Sequence, residues 1–315
     1  MGKIRIVSFL LAYAAIITVF SYGQDAFQIT KPVKTEWKEG YSYTVLMVQK
    51  LAYKLQGNEV NEEKRYWLAM NIGKKTADGS FETDLVLNRI SYLYEVGSVT
   101  YVDFDTLLGK TGNIPPQFSY LLAVYAMVDL PFHAVLTGGQ QFSGDLLDRP
   151  YQEKCTQMFD GGVKNPDKQV ESARRRFALS VFNECLNGLN QEAGLNVDLL
   201  KETEWAGDIT RNIYNIPVPM VLHYTYLETV LDSFRIKVEI EGKEKSFHGR
   251  LNNNPVTFSE VKGTGSLIFD FKKMIFKNAT LNISCTGVFS GNGGDQTVQM
   301  QITYITALER KESQK

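Results

Sequence analysis

FRIKVEIEG, residues 234–242, puts Phe234, Ile236, Val238 and Ile240 on one side and Arg235, Lys237, Glu239 and Glu241 on the other. Strict alternation of apolar and charged residues is the pattern of a β-strand with one buried and one wet face. The same period recurs outward from this segment. SLIFDF (266–271) alternates Leu267, Phe269 and Phe271, and NATLNISC (278–285) alternates Ala279, Leu281, Ile283 and Cys285. TVQMQITYITAL (297–308) sets Val298, Met300, Ile302 and Tyr304 against Thr297, Gln299, Gln301 and Thr303, and SGNGGDQ (290–296) reads as the hairpin loop before it. One apolar and one polar face is what an antiparallel sheet with a solvated side requires.

A second region of the same kind lies near the start. YSYTVLMVQ places Tyr41, Tyr43, Val45 and Met47 together, and KRYWLAMNI places Tyr66, Leu68, Met70 and Ile72 together. Asp78-Gly79 is a hairpin turn, because both residues tolerate positive φ. It leads into Phe81, Thr83, Leu85 and Leu87, then ISYLYEVGSVTYVDF (90–104) with a turn near Gly97. Residues 40–105 therefore read as a four-stranded antiparallel meander, and 210–310 as a second meander.

The middle, 115–204, reads mainly as helix. Pro115-Pro116 precedes QFSYLLAVYAMVDL (117–130), apolar on nearly every side, with Pro131 as its expected stop. A helix of this kind, Phe118–Leu130, must be buried or face an apolar cavity; Phe118, Leu121, Leu122 and Tyr125 are its candidate ligand-facing residues. A short strand, FHAVLTG, follows. Residues 148–204 then read as helices, with Asn165-Pro166 as cap and first turn and Val170, Ala173, Phe177, Val181, Cys185 and Leu189 as the apolar stripe. Arg174-Arg175-Arg176 spans about 200° of that helix, so the three cannot address one anion and read as a solvated face. The fold class is α+β: a large curved antiparallel sheet made of two meanders, with a central helical insertion packed on it.

The N-terminus carries Lys3 and Arg5, an apolar run Ile6–Phe20, and small residues at Ser21 and Gly23. That is the layout of a cleavable signal peptide over 1–23, with processing between Gly23 and Gln24 and a single mature domain over 24–315. The apolar run is shorter than the ~20 residues needed to cross a bilayer, and no later stretch of the mature chain reaches that length. Removing Lys3 and Arg5 takes the formal charge from −1 to −3, which gives no electrostatic reason to expect nucleic acid as a partner. Export favours disulfides, and Cys155 and Cys185 fall in two candidate helices that a hairpin could bring together. The alternative is three buried thiols, counting Cys285 on its apolar strand face.

Motifs for chemistry are missing. There is no G-x-S-x-G; the nearest string, GTGSL (263–267), has the wrong order. No H-E-x-x-H and no phosphate-cradling glycine loop is present. The three histidines, His133, His223 and His248, stand in separate segments, so no metal site or cofactor is expected. A carboxylate-pair hydrolase needs no motif; Asp103, Asp105, Glu202 and Glu204 are the candidates, and Trp37, Trp67 and Trp205 the candidate sugar platforms. No catalytic residue is assigned.

The SYG ending of the leader before Gln24, TEWKEGYSYTV (35–45) and GTGSLIFDFKKMIFKNATLNISCTG (263–287) resemble a group of uncharacterised exported Gram-negative envelope proteins. The resemblance implies a long, strongly curved sheet open on one side, as in periplasmic lipoprotein carriers; the long helical middle departs from it. The expectation is a non-enzymatic exported envelope protein, periplasmic or at the cell surface, whose central helices either fill the sheet concavity as core or leave room there for an apolar small molecule or lipid. A carbohydrate-active hydrolase and a surface interaction or adhesion protein are the alternatives.

Overall fold

A computed structural model describes residues 35–311 except 56, 111, 113, 138–140, 145–148, 160–167, 187–203, 214–215, 252–253 and 292–293. Gly23, Gln24, Glu202 and the Asn165-Pro166 cap lie outside the described residues. Among the described residues thirteen strands form one antiparallel sheet: β1 (Ser42–Leu55), β2 (Asn58–Lys75), β3 (Phe81–Val96), β4 (Val99–Asp105), β5 (Pro131–Leu136), β6 (Phe142–Ser143), β7 (Glu204–Ile213), β8 (Ile216–Val230), β9 (Ser233–Gly242), β10 (Ser246–Leu251), β11 (Asn254–Asp270), β12 (Ile275–Gly291) and β13 (Gly294–Lys311). Their order is β6-β5-β3-β2-β1-β13-β12-β11-β9-β8-β7. β1 and β13 pair at the centre, so the two meanders join into one sheet.

The sheet forks twice. β3 pairs β4 along Ser91–Val96 and β5 along Phe81–Val86. β11 pairs β10 along Asn254–Ser259 and β9 along Lys262–Asp270. A bulge between β2 and β3 sets Trp67 opposite Arg89 but Leu68 opposite Leu87, leaving Asn88 as the extra residue. An extra residue reverses the strand's parity, which is why Leu85 and Leu87 face inward before it and Ile90 and Tyr92 after it.

The alternating residues named above fill the core. Phe234, Ile236, Val238 and Ile240 are buried, as are Leu267, Phe269, Ala279, Leu281, Ile283, Cys285, Val298, Met300 and Ile302. Gly263 and Gly265 sit on the same inner face, paired with Ile283 and Leu281 of β12. A Cβ at Gly263 would lie 2.1 Å from the Asn282 carbonyl oxygen, and one at Gly265 2.4 Å from that of Thr280. GTGSL is thus a close backbone approach within the sheet.

Curvature can be measured from one contact. β7 lies five strands from β13, which in a flat sheet is ~24 Å at about 4.8 Å per strand. Yet the Arg211 guanidinium of β7 sits 5.6 Å from the Tyr304 ring of β13. The C-terminal half therefore curls over its own inner face.

Helices cover the other half. α1 (Tyr120–Met127) follows a 3₁₀ turn at Pro116–Phe118 and packs on β3; α3 (Lys168–Leu186) packs on β1, β2, β6 and α1; α2 (Arg149–Phe159) packs on α1. α1 is shorter than the expected Phe118–Leu130. It ends at Met127, because Val128 bridges to Leu87, the Asp129 N–H donates to the Leu87 carbonyl at 3.0 Å, and Asp129 takes φ 61°. The β3 contact stops it, four residues before Pro131. In α3 the buried stripe is Ala178, Val181, Phe182, Cys185 and Leu186; Ala173, expected inward, is exposed. Glu204, the last residue of the expected helical span over 148–204, is the first of β7, and 187–203 lie outside the described residues.

Candidate functional site

The inward parity of β2 that buries Met70, Leu68 and Tyr66 continues to Lys64 and Glu62. The β1 parity likewise continues to Gln49, opposite Tyr304 on β13. These polar groups thus point into the concave side. Polar groups there are stable only when partnered. Lys64 Nζ makes a 2.6 Å ion pair with Glu184 of α3 and lies 5.5 Å over the Tyr66 ring. Gln49 Nε2 donates to the Tyr304 hydroxyl at 3.5 Å, and Arg211 covers that ring from the opposite strand. Lys64 and Arg211 balance Glu62 and Glu184, two charges of each sign.

Burial dominates the electrostatics. It raises the Glu62 carboxyl above its ordinary value, against the pull of Lys64 and a hydrogen bond from Tyr92, with Glu184 adding to the rise. It lowers the Arg211 guanidinium, opposed by Tyr304, Tyr224 and Glu184. It pushes the Tyr304 phenol up to about 12. Burial, with Glu62 and Tyr120 close by, raises the Tyr92 phenol well above its ordinary value.

A row of rings leads from solvent to this cluster. Exposed Tyr101 lies 6.2 Å from Tyr94, Tyr94 5.1 Å from Phe118, Phe118 5.6 Å from buried Tyr92, and Tyr92 6.1 Å from Tyr120. Of the residues expected to face a ligand, Phe118 belongs to this row. Tyr125 packs 5.9 Å from Phe104, Leu121 is fully buried, and Leu122 is half-buried. Phe118 and Tyr125 are thus brought to the sheet but address different strands.

The other sequence candidates are accounted for separately. Asp105 is 5 % exposed, and Arg89 donates to it at 3.1 and 2.5 Å while the Leu107 and Leu108 amides donate at 3.0 and 3.3 Å. Burial alone would raise its pKa, but these donors outweigh it and hold the carboxyl below its ordinary value. Asp103 pairs instead with Lys110, so the two carboxylates do not act as a pair. Glu204 is exposed. Trp37 is core, edge-on to Tyr43, and Trp205 stacks on Tyr224 at 5.3 Å. His133 contacts Asp84, His248 contacts Ser246 and Thr257, and His223 is exposed. Among the described residues no group of three His, Cys, Asp or Glu could hold a metal ion. Arg176 is exposed, whereas Arg174 reaches Thr156 of α2 at 3.2 Å.

The disulfide expected between Cys155 and Cys185 is absent: all three cysteines are buried and none is bridged. Burial pushes the Cys185 thiol well up and that of Cys285 to about 11. Each cysteine fills a core position of its own element, Cys155 below Tyr151 in α2 and Cys185 in the α3 stripe. Both behave as small hydrophobes.

The inner polar cluster escaped motif reading because its members come from β1, β2, β7, β13 and α3. Its one sequence trace is parity, since Glu62 and Lys64 stand in phase with Tyr66, Leu68 and Met70.

No protein-family model matches the chain, and no curated protein matches it. Among solved structures, a mutant porin of Rh. blastica aligns over 85% of this chain and 99% of that one, at 7% identity and a TM-score of 0.16. A likeness of that size carries no argument. Among the described residues no helix is long and apolar enough to cross a membrane.

Proposed function

We propose that the chain is a non-enzymatic exported protein of the cell envelope, periplasmic or at the surface, that holds an apolar or lipid-like ligand on the concave side of its sheet. The observation that carries this reading is a charge-balanced cluster, Glu62, Lys64, Glu184 and Arg211, set into a wall of aromatic and aliphatic side chains. An apolar wall with a few convergent polar groups suits a ligand with an apolar body and one polar end. The row from Tyr101 to Tyr92 offers its route, and α1, held to the sheet by the ring contact of Tyr125 and by that of Phe118 in the turn before it, is its cover.

Mass spectrometry of apolar extracts from the purified protein, with titration of a fluorescent fatty acid and a lysophospholipid, tests this. A stoichiometric lipid-class molecule or saturable uptake is expected, weakened in Phe118→Ala. Protein that yields no apolar molecule and takes up neither probe overturns it.

A further inference from the structure

The opposite, convex face carries a feature that the concave side does not explain. Where β2, β1 and β13 lie side by side, the outward positions run Trp67–Leu46–Ala307 in one row and Ala69–Thr44–Glu309 in the next. Small residues beside the indole leave an open groove of ≈ 250 Å³ lined by Thr44, Leu46, Trp67, Asn88, Ala307 and Glu309. Pockets for drug-sized ligands run about 300–1,000 Å³, so this groove takes one ring rather than a large molecule.

The groove is built. Trp67 shares this face with Leu46, Val48 and Ile305 close by, and farther along β11 to β13 with exposed Thr264, Asn282 and Gln301. Its position is fixed by the Arg89 guanidinium, stacked 4.3 Å from the ring centre. Arg89 is in turn gripped by two oxygens of buried Asp105, itself anchored by the Leu107 and Leu108 amides. Asn88 reaches the groove because it is the extra residue of the β2–β3 bulge, and bulges re-aim side chains beside binding sites.

We propose that this groove is a subsite for one ring of a neutral saccharide. The C–H face of a pyranose packs on the indole, while its hydroxyls meet the Asn88 amide, the Thr44 hydroxyl and the Glu309 carboxylate. Two alternatives fit less well. An organic cation would compete with Arg89, which already draws on the negative face of the same ring. An acyl chain would meet apolar lining at Leu46, Trp67 and Ala307 but would stay largely in water in so open a groove. The inference does not rest on the concave reading, since the two sites lie on opposite faces of the sheet.

The test is isothermal titration calorimetry of the full chain with N-acetylglucosamine tetrasaccharide and with cellotetraose, each taken to its solubility limit. Saturable binding of at least one, with Kd of about 1 mM or tighter, is expected. Trp67→Ala and Glu309→Gln should each weaken it roughly tenfold or more. Glu309 is exposed, so Glu309→Gln keeps the fold, as unchanged circular dichroism and Tm will show, and carries the test if Trp67→Ala misfolds. No saturable heat with either probe, or binding untouched by Glu309→Gln, overturns the proposal. So does saturable binding of monomeric dodecanoate while both saccharides stay silent.

Discussion

A methyl group at Gly263 would have to displace the backbone of β12, because its position is 2.1 Å from the Asn282 carbonyl oxygen. Nothing flexible is there to give way. Gly263→Ala should therefore destabilise the protein by about 2–3 kcal/mol or more, read as a lower denaturation midpoint at unchanged m-value. Gly40→Ala is not an equivalent control, since its φ of 79° would add backbone strain of its own. Two carboxylates make opposite predictions about pH. Asp105 has a lowered pKa in the folded state, so its stabilisation is present above the unfolded value near 3.9 and is lost as pH falls through the folded value. Arg89→Ala strands that buried charge and should cost about 2–4 kcal/mol at pH 7, less at pH 3. Glu62 has a raised pKa, so only between the unfolded and folded values does the folded state hold a proton that the unfolded chain has released; above that window the buried charge is a burden on the fold. Glu62→Gln should raise the Tm at pH 7 and leave it nearly unchanged at pH 4. A lower Tm at pH 7 would mean that the ionised carboxylate is what holds Lys64 in place.

At the scale of elements, β6 is only two residues long and is held by a side chain as much as by its strand partner. The Phe142 N–H donates to Asn183 Oδ1 at 2.7 Å, and Asn183 Nδ2 donates to the Phe142 carbonyl at 3.1 Å. Asn183→Ala leaves both backbone groups without that partner and should cost about 1–3 kcal/mol, with faster amide exchange at Phe142 as the local readout. That clamp also illustrates what a sequence conveys. Long strands were legible: Phe234 to Ile240 and Tyr66 to Ile72 have one buried and one wet face, and period 2 follows directly from that. The strand FHAVLTG was legible for the same reason. β10 was not, because among its described side chains, Ser246 to Arg250, only Phe247 is buried and the next position on its face is Gly249, too little apolar surface to mark a strand. The end of α1 was misplaced because a hydrogen bond to Leu87, forty residues away, sets it, while Pro131 is the local mark. The inner cluster was illegible for a further reason. Lys64, Glu184, Arg211 and Tyr304 meet only once the sheet has curled, and curl is a property of thirteen strands together.

For the whole molecule, pairing β1 with β13 places Ser42 beside Lys311 and Tyr53 beside Met300. Contacts of such sequence separation slow folding, because loop-closure entropy is lost before they form. Refolding followed by tryptophan fluorescence should have its main phase in roughly the millisecond-to-second range or slower; a sub-millisecond main phase would contradict this topology. Deleting Gly294–Lys311 should abolish cooperative unfolding altogether, since it separates the halves and bares both β1 and β12. Synthesis adds a constraint of its own. A polypeptide emerges in one direction, and β13 is the last described strand to appear. Until it arrives, β1 and β12 present two long rows of unanswered amides and carbonyls, the surface on which nascent chains zip into one another. The central seam therefore makes this a protein that must be kept extended until it is nearly whole, so its yield in a cell should depend on holding chaperones more than on the stability of the finished fold.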